Sequence, residues 1–468
     1  MPSVGVKLYS VFFKLLLRHR MLNTGAANTT NDGYGTISRA NAAGIPANAS
    51  FVDGVATKDV NIDPFTSLSL RIFLPQTVLP KDQIRQPTAP IDGFLNSYSA
   101  VSALVFKVSF PTPGKLSNGE VISCLPMYEQ PSLNSLDHAS NAYLKEPATE
   151  EQTQVISDET EFRPAEQLFM SEVGRCPTGM IPVLRNQLSL RRTRGSSREG
   201  VDSIHGNYGH KLTYATYYRK WPPSSLFIGA KGYFNVWNAS VEDSSEFSLS
   251  QMWITAGSYD ENNLNTIEVG WQVYERLYGN KYPHLFIYWT SDAYTSTGCY
   301  NLECRGFVQT SHKWVLGGSF STISQTNGQQ YELQVLIITD RGKGVWWLMV
   351  NGEYIGYWPG TLFTTLRSGA TNVQWGGEIL NSAAERHTRT HMGSGEFAEA
   401  GYQRAAYIRK LQTVSSKFEF VDAPLLQATP SATKVNCYSV KLLPNISSTW
   451  GTHMYFGGPG YDIDYCPI

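Results

Sequence analysis

The stretch Asn265-Thr266-Ile267-Glu268-Val269-Gly270-Trp271-Gln272 reads as a β-strand with two unlike faces. Ile267, Val269 and Trp271 alternate with Thr266, Glu268 and Gly270, the period of two that a pleated strand imposes on its side chains. Glu268 therefore stands on the face opposite three large apolar side chains. Gly270, two places along that same face, leaves room for something to approach closely. Taken alone, the segment also fits a solvated glutamate on a polar strand face, the ordinary place for this residue.

A second stretch, Asn372-Val373-Gln374-Trp375-Gly376-Gly377-Glu378-Ile379, again sets a glutamate near a tryptophan and small residues in a strand-like region. Placed on neighbouring strands, Glu268 and Glu378 would face each other across a cleft. Two carboxylates a few ångströms apart resist double ionisation, so they share a proton and titrate in two steps. The ionised member can take a proton from water while the protonated member donates one to a leaving group.

Composition narrows the alternatives. The chain has 468 residues with 41% hydrophobic, 12% aromatic and 16% charged side chains, and a formal net charge of -1. Its length fits two or three domains with a sizeable core. The near-zero charge argues against nucleic acid as a partner, which calls for a basic patch or stripe. Forty glycines with many Tyr, Trp and Thr point to an all-β protein with tight turns. No apolar run reaches 18 residues, so no transmembrane helix and no membrane partner are expected. Residues 1–20 do not make a clean signal peptide: Lys14 interrupts the apolar run and Arg18-His19-Arg20 follows it.

Along the chain, residues 1 to about 45 show no periodicity and are expected to be disordered. Residues 56–75 read as a pair of strands around a turn and resemble the N-terminal hairpin of plant carboxylesterases over about twenty residues. The GxSxG nucleophile elbow and HGGG motif of that fold are absent, so an esterase is not expected, and a foreign segment over 1–110 is the simplest account. Residues 111–190 change in texture, with a strand-like end at Glu172 to Pro182. A basic Ser/Gly stretch over 191–205 reads equally as a solvated linker or as a processing region. From 206 to 468 the signals are uniformly β. Phe227–Trp237, Glu246–Ile254, Leu285–Trp289 and Tyr331–Ile338 read as strands, and Val345–Tyr357 as a hairpin turning at Asn351-Gly352 in a type I′ turn. Many short strands with almost no helical period predict an antiparallel two-sheet β-sandwich.

Six cysteines, Cys124, Cys176, Cys299, Cys304, Cys437 and Cys466, form no CxxC pair. Their even number suits an oxidising compartment. Cys299 and Cys304 bracket a loop that a disulfide could close, and Cys437 with Cys466 could staple the C-terminus. Glycosylation sequons stand at Asn28, Asn48, Asn238 and Asn445.

Several ordered motifs carry a family resemblance. They are Ser248-Leu249-Ser250-Gln251-Met252-Trp253, Asn265 through Gln272, Tyr288 through Tyr294 with Thr297-Gly298-Cys299-Tyr300-Asn301, and Trp375-Gly376-Gly377-Glu378-Ile379. Thr388, Met392-Gly393-Ser394-Gly395 and Phe397 extend the set. Residues from about 115 to 468 resemble the neprosin family of secreted, mostly plant, glutamic peptidases, and Cys176-Pro177-Thr178-Gly179 is similar to part of its activation-peptide domain. The resemblance implies an antiparallel two-sheet sandwich of the jelly-roll or concanavalin type, preceded by a smaller pro-domain. It implies Glu268 and Glu378 as the catalytic pair and the disulfides Cys299–Cys304 and Cys437–Cys466. It further implies a zymogen activated in acid, its pro-domain acting as an intramolecular inhibitor, and an endopeptidase of protein or peptide substrates, cleaving beside proline as the founding member does. No cofactor is implied, a monomer is expected, and the location is secreted or vacuolar.

Gln251, Trp253 and Trp375 are candidates to orient the pair or line its cleft; each also fits an ordinary strand or core position. Competing readings are an inactive wall- or glycan-binding sandwich and a glycoside hydrolase, whose chemistry also uses two carboxylates. His387 and His391 stand four apart without an HExxH motif, and no metal is expected.

Overall fold

In the computed structural model, residues 114–133, 162–185, 211–220, 226–382, 386–425, 429–464 and Cys466 are described, together with the backbone of 50–52, 55–63 and 66–73. The irregular stretch 1–45, the basic segment 191–205 and the sequons at Asn28 and Asn48 lie outside the described residues. The chain divides into two compact units, Met1–Thr112 and Pro113–Ile468. In the first, β1 (Ser50–Val52), β2 (Val55–Asp63) and β3 (Thr66–Phe73) form a small antiparallel sheet. The expected two-strand hairpin is thus β2–β3, with β1 added on its edge.

The second unit begins with β4 (Gly114–Lys115), β5 (Val121–Pro126), β6 (Arg163–Pro164) and β7 (Met180–Leu184). A short helix at Leu168–Glu172 precedes β7. The strand-like end expected from Glu172 is therefore a strand only from Met180; Glu172 closes the helix and Gly174 and Gly179 turn the chain between them at positive φ.

The rest of this unit is a sandwich. One sheet takes β8 (Lys211–Lys220), β10 (Ser248–Ala256), β11 (Asn265–Val273), β12 (His284–Thr290), β13 (Cys299–Tyr300), β18 (Asn372–Asn381) and β21 (Thr429–Ala432), in the order β13-β12-β11-β10-β18-β8-β21. The other is built on β9 (Gly229–Asn235), β14 (Val308–Gln309), β15 (Tyr331–Asp340), β16 (Val345–Val350), β17 (Glu353–Pro359), β19 (Ala406–Val414), β22 (Ser439–Leu443) and β23 (His453–Gly457). Its order is β14-β17-β16-β15-β9-β19-β23-β22, with β20 (Phe420–Asp422) beside β19 and β6 beside β15. The β6–β15 pairing is parallel; the sandwich sheets are otherwise antiparallel among the described residues.

The alternation read from sequence puts one face of each sheet into a shared core. Met252, Ile254, Ile267, Val269, Trp271, Val373 and Ile379 from the seven-stranded sheet meet Phe234, Val335, Ile337, Leu348, Ile408 and Phe456 from the other. The Asn351-Gly352 turn joins β16 to β17 with positive φ at both residues, 46° and 79°, as type I′ requires. Three disulfides, Cys124–Cys176, Cys299–Cys304 and Cys437–Cys466, are present.

Residues 114–133 and 162–185 are built into the sandwich unit. The buried Gln167 side chain mimics a strand neighbour, donating to Val315 O at 2.7 Å and Gly318 O at 3.0 Å and accepting from Val315 N at 2.8 Å. Leu116, Ile122, Phe169 and Cys176 bury a small core against Val315. On the outer face of the larger sheet, Arg409 and Glu332 form a buried bidentate pair, both bonds 2.7 Å, and the guanidinium lies 4.2 Å from the ring centres of Phe162 and Tyr233. Two ions taken out of water tolerate each other only while paired. Replacing Glu332 by Gln leaves Arg409 charged and unpaired, and should destabilise the unit by about 3–5 kcal/mol, read as a fall in the urea midpoint at unchanged slope.

Candidate active site on the outer face of the smaller sheet

Glu268, Gln251 and Glu378 share the face of the seven-stranded sheet that turns away from the shared core. On β11 the parity that sends Ile267, Val269 and Trp271 inward sends Glu268 outward, opposite Trp253 on β10 and Tyr288 on β12. On β18, Glu378 lies opposite Leu249 of β10 and Tyr214 of β8. Although outward, neither glutamate is solvated: Glu268 is 7% exposed, Glu378 5% and Gln251 1%. An aromatic layer of Phe247, Trp253, Tyr274, Phe286 and Tyr288 surrounds them.

The two glutamates are not on neighbouring strands. The strand β10 runs between β11 and β18, and Gln251 at its middle bridges the gap. Gln251 Nε2 donates to Glu378 Oε2 at 3.3 Å and also hydrogen-bonds Glu268. Gln251 is opposite Gly270 on one side and Gly376 on the other, so no side chain stands beside it in that row. Both glycines are required. A Cβ on Gly270 would lie 1.9 Å from Ser250 O, and Gly376 sits at φ 154°, where a side chain is strained. What approaches Gly270 closely is thus the backbone of β10 itself.

The carboxyls differ in their surroundings. Glu268 Oε1 accepts from Tyr294 Oη at 2.6 Å and from Thr266 Oγ1 at 2.8 Å. Burial pushes the Glu268 carboxyl up, and hydrogen bonds from Tyr294, Thr266 and Gln251 restrain the rise. Glu378 is pushed well above the usual carboxylate range, first by burial and then by the charge of Glu268; Tyr214 and Gln251 hydrogen-bond it. The pair therefore sheds its protons in two steps, with Glu268 the better placed to ionise first.

Trp253 packs in the aromatic layer beside Glu268, opposite it in the β10–β11 register. Trp375 does not join the site. It is fully buried in the shared core on the other face of β18, because it stands an odd number of places from Glu378. Thr266, Tyr294 and Tyr214 are contacts that sequence reasoning did not single out. Thr266 was readable, being two places from Glu268 on the same face. Tyr214 lies on a strand whose place in the sheet no local pattern reveals. His387 is engaged by Asn381 and Tyr438, both at 3.2 Å, and no group of three or more His, Cys, Asp or Glu placed to hold a metal ion occurs among the described residues. Asn238 and Asn445 are exposed, Asn445 bonding Asp422 at 2.8 Å.

Comparison with known proteins finds a family match over part of the chain, a range that holds Gln251, Glu268 and Glu378 but not Tyr214. The family model described as Neprosin matches residues 244–459. Two curated proteins of Arabidopsis thaliana, "Probable carboxylesterase 16" and "Probable carboxylesterase 11", are 56% and 54% identical over 82 residues. That stretch is 17% of this chain and 18% of each relative, so the chain spans under a fifth of the length of these relatives. The matched length exceeds the twenty residues over which the resemblance was legible. Among solved structures, scytalido-glutamic peptidase with a peptide-based transition state analog covers 53% of this chain and 99% of its own, at 12% identity and a TM-score of 0.30. SCP-B, of the eqolisin family of peptidases, gives the same coverage at 11% identity and a TM-score of 0.28. The two-sheet architecture stands on the strand register itself.

The raised carboxyls make stability pH-dependent. Their ordinary value is 4.5 and the folded values lie above it. Between the two, the folded state holds protons that the unfolded chain has lost, so this stabilisation is full below about pH 4.5 and is lost as pH rises through the folded values. Each unit of upward shift weakens the ionised fold by about 1.4 kcal/mol. Thermal melts should therefore fall from acid toward neutral pH, and Glu378→Gln should melt higher than the parent at neutral pH with a flatter profile.

Proposed function

On the match of residues 244–459 to the Neprosin family model, we propose that this protein is a glutamic endopeptidase working in acid, with Glu268 as general base and Glu378 as general acid. The observation that carries this reading is the convergence of two buried carboxyls on one glutamine, on one face of one sheet. Glu268, ionised first, takes a proton from a water held between the pair, and that water attacks the scissile carbonyl. Glu378, kept protonated by burial and by its neighbour's charge, donates to the carbonyl oxygen or to the departing nitrogen. The Gln251 amide bonds both carboxyls and ties them together across β10.

The finer parts of the reading rest on the resemblance and on surface chemistry. Tyr259, 65% exposed, stacks on Tyr294, which stacks on Tyr288, and together they give the cleft a flat aromatic wall suited to a proline ring. Residues 114–133 and 162–185 supply the N-terminal segment that, in a zymogen, would act as the intramolecular inhibitor. The buried Glu120 of that segment lies 3.5 Å from His284 of β12. Protein or peptide is the substrate class, and three disulfides favour secretion.

The test is cleavage of a mixed peptide library after incubation of the full chain in acid, read by mass spectrometry. The parent should cut, beside proline if the aromatic wall selects it. Glu268→Gln and Glu378→Gln should each lose about 10²–10⁴-fold in rate while keeping the fold. Equal cleavage by the Glu268→Gln variant, or none by the parent, would refute the assignment; glycan cleavage in its place would identify a glycoside hydrolase.

A further inference from the structure

The loop after β12 has more internal bonding than a connection needs. Asp292 accepts five hydrogen bonds: Thr290 Oγ1 at 3.1 Å, Ser296 N at 3.0 Å, Ser296 Oγ at 2.5 Å, Thr297 N at 3.1 Å and Thr297 Oγ1 at 2.6 Å. Partial burial raises the Asp292 carboxyl, but the bonds from Ser296, Thr297 and Thr290 outweigh it and hold the group at about 2. Asp292 is therefore an ionised hub through the acid range. Around it, Ala293 and Tyr294 stand at φ 54° and 61°, left-handed conformations that side chains with a Cβ adopt rarely, and here twice in succession. Ala293 N donates to Leu264 O at 2.9 Å and Tyr294 N to Thr290 Oγ1 at 3.1 Å, tying the turn to the start of β11 and the end of β12. The Cys299–Cys304 disulfide closes the chain just beyond.

Strained backbone held by many bonds marks a place where one side chain has to be aimed. The side chain aimed here is Tyr294, whose hydroxyl meets Glu268 Oε1 at 2.6 Å while its ring is stacked between Tyr259 and Tyr288. With Thr266 on the same oxygen, Oε1 has two donors. We propose that Tyr294, aimed by the Asp292-centred loop, is the positioning residue that favours the ionised form of Glu268 and, holding Oε1 together with Thr266, turns the other oxygen, Oε2, to take the proton from water. This inference rests on the peptidase reading for its catalytic meaning. The coupling of Tyr294 to the Glu268 charge stands independently of it.

Every titratable group facing Glu268 enters the outcome. The charge of Glu268 raises Glu378 on β18, and Tyr214 from β8, Tyr259 from the β10–β11 connection and Tyr288 from β12 each interact with that charge. Asp292 acts on Tyr288. None of the others donates to Glu268 Oε1 in the way Tyr294 and Thr266 do among the described hydrogen bonds.

The experiment titrates the full chain labelled with carbon-13 at the glutamate carboxyls, from about pH 3 to 8. Glu268→Gln identifies the resonance, and Tyr294→Phe and Asp292→Asn are compared with the parent. Tyr294→Phe keeps the stacked ring and removes only the donor. Its Glu268 midpoint should rise by about one pH unit, and the acid limb of kcat/KM should move by the same amount, a roughly tenfold loss on the acid side. Asp292→Asn, which does not touch Glu268, should shift both in the same direction by less. An unchanged midpoint in a folded Tyr294→Phe, judged by near-ultraviolet circular dichroism, overturns the proposal. If that variant does not fold, an unchanged midpoint in Asp292→Asn overturns it. Should the parent cleave no peptide, the catalytic reading fails, and the carboxyl titration still decides the role of Tyr294.

Discussion

Two carboxyl groups removed from water on one sheet face cannot both carry charge at low cost, and the smaller sheet is arranged around that constraint. Burial alone would protonate both. The structure breaks the symmetry through hydrogen bonding: Tyr294 and Thr266 donate to Glu268, while Glu378 feels the resulting charge from across β10. Gln251 bridges the pair, and Gly270 beside it lets the β10 backbone lie where a side chain would clash. An ionised carboxylate in such a site depends on its donors, because without them the charge has no water to fall back on. The aromatic layer around it therefore has two effects, excluding water and fixing the directions from which donors reach the carboxyls.

Much of this was legible in the sequence because a strand has a period of two. The alternation in residues 265–272 fixed which way Glu268 points, and the Asn351-Gly352 pair fixed one hairpin outright. The same rule, applied strictly to residues 372–379, assigns Trp375 to the core, since three places separate it from Glu378; nearness in sequence was a poor guide there. Strand order was beyond reach. Nothing local to β11 or β18 says that β10 runs between them, because pairing is decided by the packing of the whole sheet and not by the strand that joins it. Tyr214 was hidden for the same reason. The aim of Tyr294 depends on two left-handed residues, neither a glycine, and such backbone is specified by the hydrogen bonds of Asp292 instead of by its own composition.

The outer faces of the two sheets treat burial of charge differently. On the larger sheet, Glu332 meets a full opposite charge in Arg409 and is satisfied by two bonds in one plane. On the smaller sheet, Glu268 and Glu378 meet only hydroxyls, an amide and each other. The first arrangement holds its glutamate in one state and ties Phe162 to the sandwich. The second brings together two carboxyls whose surroundings differ, so they bind protons with unequal affinity.

The placement of the disulfides has a consequence for how the polypeptide comes apart. Cys124 and Cys176 are 52 residues apart and both precede the basic stretch 191–205, whereas Cys299–Cys304 and Cys437–Cys466 both follow it. No cross-link spans that stretch. Scission there yields two covalently independent chains, each carrying its own bridges, and only non-covalent packing such as the Gln167 contacts with Val315 and Gly318 then holds them together. Scission between Cys124 and Cys176 leaves the fragments joined until a reductant is added. The covalent architecture thus allows residues 114–185 to dissociate as a piece after one kind of cut and retains them after the other.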